Sequence, residues 1–115
     1  MATRDIPQTE WRTFFDVLSR ILSGSRLEVE AASLELGDQI VAEWLPLVGI
    51  TYDSRNDLLD VSMKGTEHFS HLIRHPRTIA VQEEEGAIRS IAVTTDGIAE
   101  ILTFKNALML PASTA

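Results

Sequence analysis

Residues 78–104, TIAVQEEEGAIRSIAVTTDGIAEILTF, decide the fold of this chain because three β-forming stretches are separated there by two turn signals. The stretches are TIAVQEE, AIRSIAVTT and GIAEILTF. Asp96-Gly97, between the second and the third, is the strongest two-residue hairpin signal in the chain. The charged side chains of the first link, EEEGA, keep it in contact with solvent. This region therefore predicts a three-strand antiparallel meander.

Upstream of the meander, apolar residues at every second position predict further antiparallel strands. Apolar residues alternate with polar ones in RLEVEA and in QIVAEW, and LELGDQ between them reads as a turn. Pro46 then interrupts the ladder, which implies an edge, a bulge or a corner. The next two stretches, LVGITYD and LLDVSMK, flank SRND, a short polar link typical of a hairpin.

Residues 10–24, EWRTFFDVLSRILSG, predict one long amphipathic helix. Pro7 and Thr9 suit a helix start, and Gly24 suits the left-handed position that ends a helix. The apolar residues recur at intervals of one, three and four and form one wide stripe of Trp11, Phe14, Phe15, Leu18, Ile21 and Leu22. We expect this stripe to be core packed against the sheet.

Composition excludes several classes of function. The 115 residues contain no cysteine, which removes thiolate nucleophiles, disulfides and cysteine-based metal centres. The formal charge is -7, and the ten Lys and Arg residues are scattered singly, so no nucleic-acid partner is expected. The N-terminus lacks the pattern of a signal peptide, and no apolar run approaches the roughly 18 residues of a membrane span. We therefore expect a cytoplasmic protein with no membrane partner.

All three histidines of the chain lie in residues 65–76, GTEHFSHLIRHP. Gly65-Thr66 resembles a turn and cap, and Pro76 ends any helix at the residue before it, so the segment predicts a short helix of about two turns. On that helix His68, His71 and His75 form a stripe beside the apolar residues Phe69, Leu72 and Ile73.

Two interpretations of this stripe remain open. Three imidazoles at i, i+3 and i+7 could hold one divalent metal with an open position for hydrolysis. A two-turn helix rarely supplies three ligands, however, and the spacing is not the HExxH pattern. Imidazoles at the rim of an apolar face need no function. We therefore predict no metal, cofactor or catalytic residue, with His68, His71 and His75 as the weak candidates for a metal site.

Oxygen ligands also concentrate around the SRND link, at Asp53, Asn56, Asp57 and Asp60. They lack the spacing of a calcium-binding loop, and strand alternation separates them. A solvated turn explains them. Motifs for dinucleotides, for nucleotide phosphates and for an α/β-hydrolase elbow are absent from the sequence.

The order of four segments resembles a family of small uncharacterised bacterial proteins, known as a domain of unknown function. These segments are IPQTEWRTFFDVLSR, LPLVGITYDSRNDLLDV, HLIRHPRTIAVQEEEGAIRSIAV and the apolar tail NALMLP. The match spans almost the whole chain. The resemblance implies a free-standing bacterial cytoplasmic protein and implies no activity, cofactor or catalytic residue.

The predicted fold class is α+β: an N-terminal amphipathic helix packed on a curled antiparallel sheet of six to seven strands, with one short helix before the meander. Length predicts a single domain over residues 1–115, with frayed termini at residues 1–5 and 111–115. One helix cannot cover every apolar position of the sheet, among them Ile40, Trp44, Tyr52, Ile88 and Ile91. The sheet must therefore close on itself, meet the short helix and tail, or bury its second face against another copy.

These patterns favour a non-enzymatic binding or interaction module whose partner is another copy of the chain, in a homodimer or homo-oligomer, or a different protein. The alternative is a small metal-assisted or His-dependent enzyme that uses His68, His71 and His75 in a cleft beside the sheet. The two hypotheses differ in whether the imidazoles converge on one point.

Overall fold

The protein was analysed as a computed structural model that describes residues 2–33 and 37–109. Within these residues the chain forms one α-helix, α1 (Trp11–Leu22), preceded by a short 3₁₀ turn, Gln8–Glu10. It also forms eight strands: β1 (Ala2–Asp5), β2 (Arg26–Ser33), β3 (Gly37–Asp53), β4 (Leu58–Lys64), β5 (His68–Arg74), β6 (Thr78–Glu84), β7 (Ala87–Thr95) and β8 (Ile98–Met109). No helix among these residues has the length and apolar character needed to span a lipid bilayer.

The strands form one unclosed antiparallel sheet in the order β1-β6-β7-β8-β2-β3-β4-β5. The predicted meander is confirmed, because β6 pairs with β7 and β7 pairs with β8. Thr95 opposes Ile98 across the Asp96-Gly97 turn, where Gly97 has a φ of 74° that glycine adopts without steric cost. The SRND hairpin is also confirmed, with Asp53 opposite Leu58. The predicted LELGDQ turn falls partly outside the described residues.

β3 is one bent strand of 17 residues where the sequence predicts two strands on either side of Pro46. Its register slips twice against β2 and once against β4, between Leu47 and Gly49. Each slip places an extra residue of β3 opposite its partner, which is a β-bulge and bends the strand. Trp44 lies in this bulged region with a left-handed φ of 52°. Pro46 therefore marks a corner within a strand, as one of the predicted options allowed.

The described residues contain eight strands, and the prediction of six to seven is wrong. β3 joins two predicted strands into one, while β1 and β5 are additional. The prediction that residues 1–5 fray is wrong for β1, which pairs along β6 from Ala2 opposite Glu83 to Asp5 opposite Ala80. A partner almost 80 positions away orders these residues, and local sequence contains no sign of it. Residues 111–115 lie outside the described part of the chain.

The predicted short helix at the histidines is also wrong, because residues 68–74 form β5. This strand pairs with β4 along its whole length, from His68 opposite Lys64 to Arg74 opposite Leu58. A two-turn helix forms too few internal hydrogen bonds to offset the entropy of its nucleation. As a strand, the segment pairs the backbone groups of its odd-numbered residues with β4 and buries Ile73, which is 1% exposed. Cross-strand pairing thus overrides the local capping signals.

The predicted apolar stripe of α1 is confirmed as core. Its innermost members are Trp11, Phe15, Leu18 and Leu22, all buried, while Phe14 and Ile21 pack against them from the rim. The helix lies against β3. A single apolar cluster joins the helix to the inner faces of the strands, including Tyr52, Ile88 and Ile91. Curling of the sheet buries these three residues, whereas Ile40 remains 51% exposed.

Two polar contacts attach α1 to the sheet. The Ser19 hydroxyl accepts a hydrogen bond from the Ile50 amide and lies 2.8 Å from the Ile50 carbonyl oxygen, to which it donates. The Trp11 indole donates to the Ile6 carbonyl at 2.7 Å, and its ring meets Tyr52 edge to face. Ile6 in turn bonds to Ile79 of β6. The helix therefore ties the second half of β3 to the β1–β6 side of the sheet.

We expect Phe15→Ala to lower the free energy of unfolding by about 3–5 kcal/mol, because the ring is 0% exposed and its removal leaves a cavity. Val17→Ala, on the same helix but 45% exposed, should change it by about 0.5 kcal/mol or less. Urea denaturation measures both values. Equal losses in the two variants would contradict the burial of the stripe.

Candidate functional site

The strand conformation of β5 separates the three histidines. Successive side chains of a strand point to opposite faces, so His68 lies on the outer face and His71 on the inner face. His75 follows the strand with a left-handed φ of 53°. Among the described residues, no three His, Asp or Glu side chains lie close enough to hold a metal ion. The structure thus does not bring the three candidate ligands together.

His71 pairs with Glu100 of β8 across the interior of the curled sheet. The pair joins His71 Nε2 to Glu100 Oε1, and the two side chains are only 19% and 10% exposed. In the sheet order β5 lies four strands from β8, so this contact requires the sheet to curl. Glu100 is the buried charged residue of the described chain, and burial of a carboxylate requires a partner.

Glu100 was not predicted as a site residue, although the sequence contains a signal for it. In GIAEILTF it occupies the same face as Leu102 and Phe104, which both point into the core. A glutamate at an inward position of a strand indicates a buried partner. The partner could not be identified from the sequence, because the predicted histidine helix placed His71 in a different geometry.

A second polar cluster lies where β3 and β5 end and β4 begins. The Tyr52 hydroxyl donates to Asp57 Oδ1 at 2.6 Å, and His75 Nδ1 lies 3.2 Å from Asp57 Oδ2. Asp57 also has a left-handed φ of 50°, and such a backbone costs a non-glycine residue about 1–2 kcal/mol. The two side-chain contacts, with the bond from the His75 amide to the Asp57 carbonyl, hold this conformation.

The pKa values in this cluster shift in opposite directions. The hydrogen bond from Tyr52 is the main cause of a lowered pKa of Asp57, because it stabilises the carboxylate, and His75 contributes further. Burial raises the pKa of Tyr52, and its bond to Asp57 raises it further. The cluster therefore favours a neutral phenol beside an ionised carboxylate at neutral pH.

The remaining oxygen ligands of this hairpin bind one another and nearby groups. Asp53 accepts hydrogen bonds from the Asn56 amide side chain at 2.7 Å and from the Arg55 amide at 3.0 Å. The Asn56 side chain is the main cause of a lowered pKa of Asp53. Asp60 instead accepts a hydrogen bond from the hydroxyl of Ser62, which is two residues further along β4 and lies on the same face. A hydrogen-bonded turn accounts for this group, as the sequence indicates.

The outer edge of β5 is the other notable feature of the histidine strand. Opposed residues of an antiparallel ladder alternate between pairs that exchange backbone hydrogen bonds and pairs that do not. The His75 amide bonds to the Asp57 carbonyl in continuation of the β4–β5 register. Odd-numbered residues of β5 therefore bond to β4. The backbone groups that point away from β4 are those of His68, Ser70, Leu72 and Arg74.

No described strand pairs with these outward groups, because β5 is the last strand of the sheet order. The edge also carries apolar surface. Leu72 on the outer face is 41% exposed, and Phe69 on the inner face is 37% exposed. Its pairing with β4 has no register shift, so the edge is regular over seven residues.

His71→Gln should lower the free energy of unfolding at pH 7 by about 1–3 kcal/mol, because it removes the imidazole that pairs with the buried Glu100 side chain. His68→Gln is the matched control on the same strand, and its side chain lies on the exposed outer face. We expect a change of about 0.5 kcal/mol or less for the control. Urea denaturation of both variants measures the difference, and equal effects would contradict the interior role of His71.

Tyr52→Phe should cost about 1 kcal/mol of stability at pH 7 and less in acid. A lowered pKa in the folded state means that the Asp57 carboxylate contributes stability above its unfolded pKa of about 3.9. That contribution is lost as the pH falls through the folded pKa. The difference between wild type and variant should therefore narrow between about pH 5 and pH 2. A difference independent of pH in denaturation experiments would show that the hydroxyl acts without Asp57.

The chain matches the family described as a family of unknown function, DUF5335, over residues 2–113. A protein of Aquifex aeolicus (strain VF5) named "Uncharacterized protein" is 39% identical to it over 112 residues, which cover 96% of this chain and 99% of that protein. No solved structure shows a significant match to the chain. The resemblance indicated by the four sequence segments is confirmed, and the chain belongs to the DUF5335 family.

Proposed function

We propose that this protein is a non-enzymatic, cytoplasmic bacterial interaction module that forms a homodimer through the outer edge of β5. The observation that carries the proposal is the regular edge of seven residues, with the outward backbone groups of His68, Ser70, Leu72 and Arg74. An edge of this kind is a template for another strand. Backbone hydrogen bonds supply the affinity in such strand addition, and exposed side chains supply the selectivity.

The opposite edge of the sheet supports the choice of β5. β1 contains four residues, and its Arg4 and Asp5 bring charge to the edge. Short length and charge are the usual protections against edge-to-edge association. β5 is nearly twice as long and contains no proline, its arginine, Arg74, lies at the end of the strand, and no bulge interrupts its ladder with β4. The two edges therefore differ in the properties that govern strand addition.

A second copy is the occupant because antiparallel pairing of β5 with itself is self-complementary. Full overlap of the seven residues about a two-fold axis at His71 would oppose Ser70 with Leu72 of the partner subunit. Every outward backbone group of one strand then meets an outward group of the other, since both belong to even-numbered residues. The exposed Leu72 and Phe69 side chains would lose solvent contact on the two faces of the joined sheet. Burial of this apolar surface adds to the backbone bonds.

The alternative function, a metal-assisted or His-dependent enzyme, has less support from the geometry. It requires the three imidazoles to surround one point. His68 and His71 lie on opposite faces of β5, and the His71 ring nitrogen is engaged by Glu100. His75 is engaged by Asp57 at the end of the hairpin.

Leu72→Pro should convert the dimer to a monomer. Proline removes the outward-pointing amide hydrogen of residue 72. The fold of one subunit tolerates this loss on an edge strand, but a strand–strand interface requires that hydrogen bond donor. Leu72→Lys should have the same effect by placing a charge at the edge. Sedimentation equilibrium between about 1 and 100 µM measures the oligomeric state, because dimer formation depends on protein concentration. Circular dichroism shows that each variant is folded.

Thr3→Pro is the matched control on the β1 edge. The bond from the Ile6 amide to the Ile79 carbonyl continues the β1–β6 register, so the Thr3 amide points outward by the same alternation. We expect this variant to remain dimeric. A monomeric wild type at the highest concentration would overturn the proposal. So would a dimer that persists in both Leu72 variants, or one that only Thr3→Pro disrupts.

A further inference from the structure

A groove of about 650 Å³ lies on the face of the sheet opposite the core, across β3, β6, β7 and β8. Its volume is within the range of small-molecule sites, about 300–1,000 Å³. Its lining includes the aromatic residues Trp44 and Phe104 and the polar residues Gln82, Glu84, Arg89, Ser90, Thr103 and Lys105. The groove contains no residue of β5 and is independent of the proposed dimer interface.

Three irregularities of the sheet meet at this groove. The first is the bulged corner of β3, which holds Trp44 at its left-handed φ of 52°. The second is a bulge of β7 at Arg89, since Gln82 opposes Ser90 whereas Glu83 opposes Ile88. Bulges redirect side chains and occur preferentially beside functional sites.

The third irregularity separates β7 from β8. Ser90 opposes Thr103, but Ile88 opposes Leu108, so β8 advances five residues while β7 advances two. A regular sheet would close this space with a continuous ladder. Each irregularity forgoes backbone pairing, and their convergence on one groove is the observation that points to a ligand.

The groove presents an aromatic ring beside cations. Trp44 is partly exposed, and an indole face offers a stacking surface for a planar ring. Arg89 and Lys105 are exposed and supply two positive charges, while Glu84 lies 3.4 Å from Arg89 and Glu28 of β2 opposes Thr103 on the same face of the sheet. Two cations therefore line one groove on a chain whose formal charge is -7.

Neutral hydrogen-bonding groups line the same groove. The Ser90 hydroxyl donates to Gln82 Oε1 at 3.1 Å, which engages the amide oxygen and leaves the amide NH₂ group as a donor. The Thr103 hydroxyl adds a group that can donate or accept. From this arrangement we propose that the groove binds a planar aromatic anion. Its ring stacks on Trp44, and its carboxylate or phosphate group is held by Arg89 and Lys105.

Isothermal titration calorimetry with 2-naphthoate and with adenosine 5′-monophosphate tests the proposal on the whole chain. We expect at least one anion to bind with a Kd below about 1 mM, and its neutral counterpart, 2-naphthalenemethanol or adenosine, to bind about tenfold more weakly. Binding of naphthoate alone assigns a carboxylate ligand, and binding of the nucleotide alone assigns a phosphate ligand. The indole N–H resonance of Trp44 should shift on binding, whereas that of the buried Trp11 should not.

Two variants and a control locate the site. Trp44→Gly removes the ring, and glycine adopts the left-handed φ of this position freely, so the fold should be retained. Arg89→Gln removes one cation without changing the backbone. Each should weaken binding about tenfold, while Arg77→Gln, which removes an exposed arginine paired with Asp96, should change it less than about twofold. Absence of binding by both anions, or equal weakening in Arg77→Gln, would overturn the proposal.

Discussion

The bend in β3 is the constraint on which the rest of the structure depends. Its first part pairs with β2 and its second with β4, so this strand connects the larger part of the sheet with the β4–β5 hairpin. A straight strand of 17 residues would extend the sheet and leave both faces open. The bulges bend it so that inner faces from distant strands share one apolar cluster. The two bonds between Ser19 and Ile50 then attach the helix to the bent part of the strand.

Two polar contacts hold the last strand against this frame. The His71–Glu100 pair joins β5 to β8 across the interior, and Asp57 joins the start of the β4–β5 hairpin to Tyr52 and His75. Polar contacts in partly buried positions contribute little net stability compared with apolar side chains of the same volume. They restrict which geometries the chain can adopt, because a shift of β5 by one residue would leave Glu100 unpaired. We infer that they set the position of β5 more than they stabilise it.

β5 and the groove at Trp44 belong to different parts of one sheet and offer different kinds of interaction. At β5 the available interactions are backbone hydrogen bonds and exposed apolar side chains, which suit another strand. At the groove they are an aromatic face, two cations and neutral donors, which suit a small molecule. The same bend in β3 contributes to both, since it carries Trp44 on the outside and orients the hairpin that ends in β5. Because the groove contains no residue of β5, binding at one region can be measured separately from binding at the other.

The sequence by itself determined the elements whose signals are local. The apolar stripe from Trp11 to Leu22 predicted the helix and its buried face, and the alternation in residues 78–104 predicted the meander with its Asp96-Gly97 turn. Both predictions succeed because the apolar pattern of a helix or a hairpin is set by residues that are close together in the sequence. The inward position of Glu100 was visible in the same way, although its partner was not.

Only the tertiary structure decided the features that depend on residues far apart in the chain. β1 is ordered by β6, and residues 68–74 form a strand because β4 offers seven backbone partners, a gain that exceeds the local preference for a short helix. The joining of two predicted strands through Pro46 depends on bulges whose cost is offset across the whole core. The convergence of three irregularities on one groove likewise has no signature in any single segment, because each involves a different pair of strands. Local patterns specify which faces are apolar, whereas long-range pairing specifies which strands meet and where the ladder breaks.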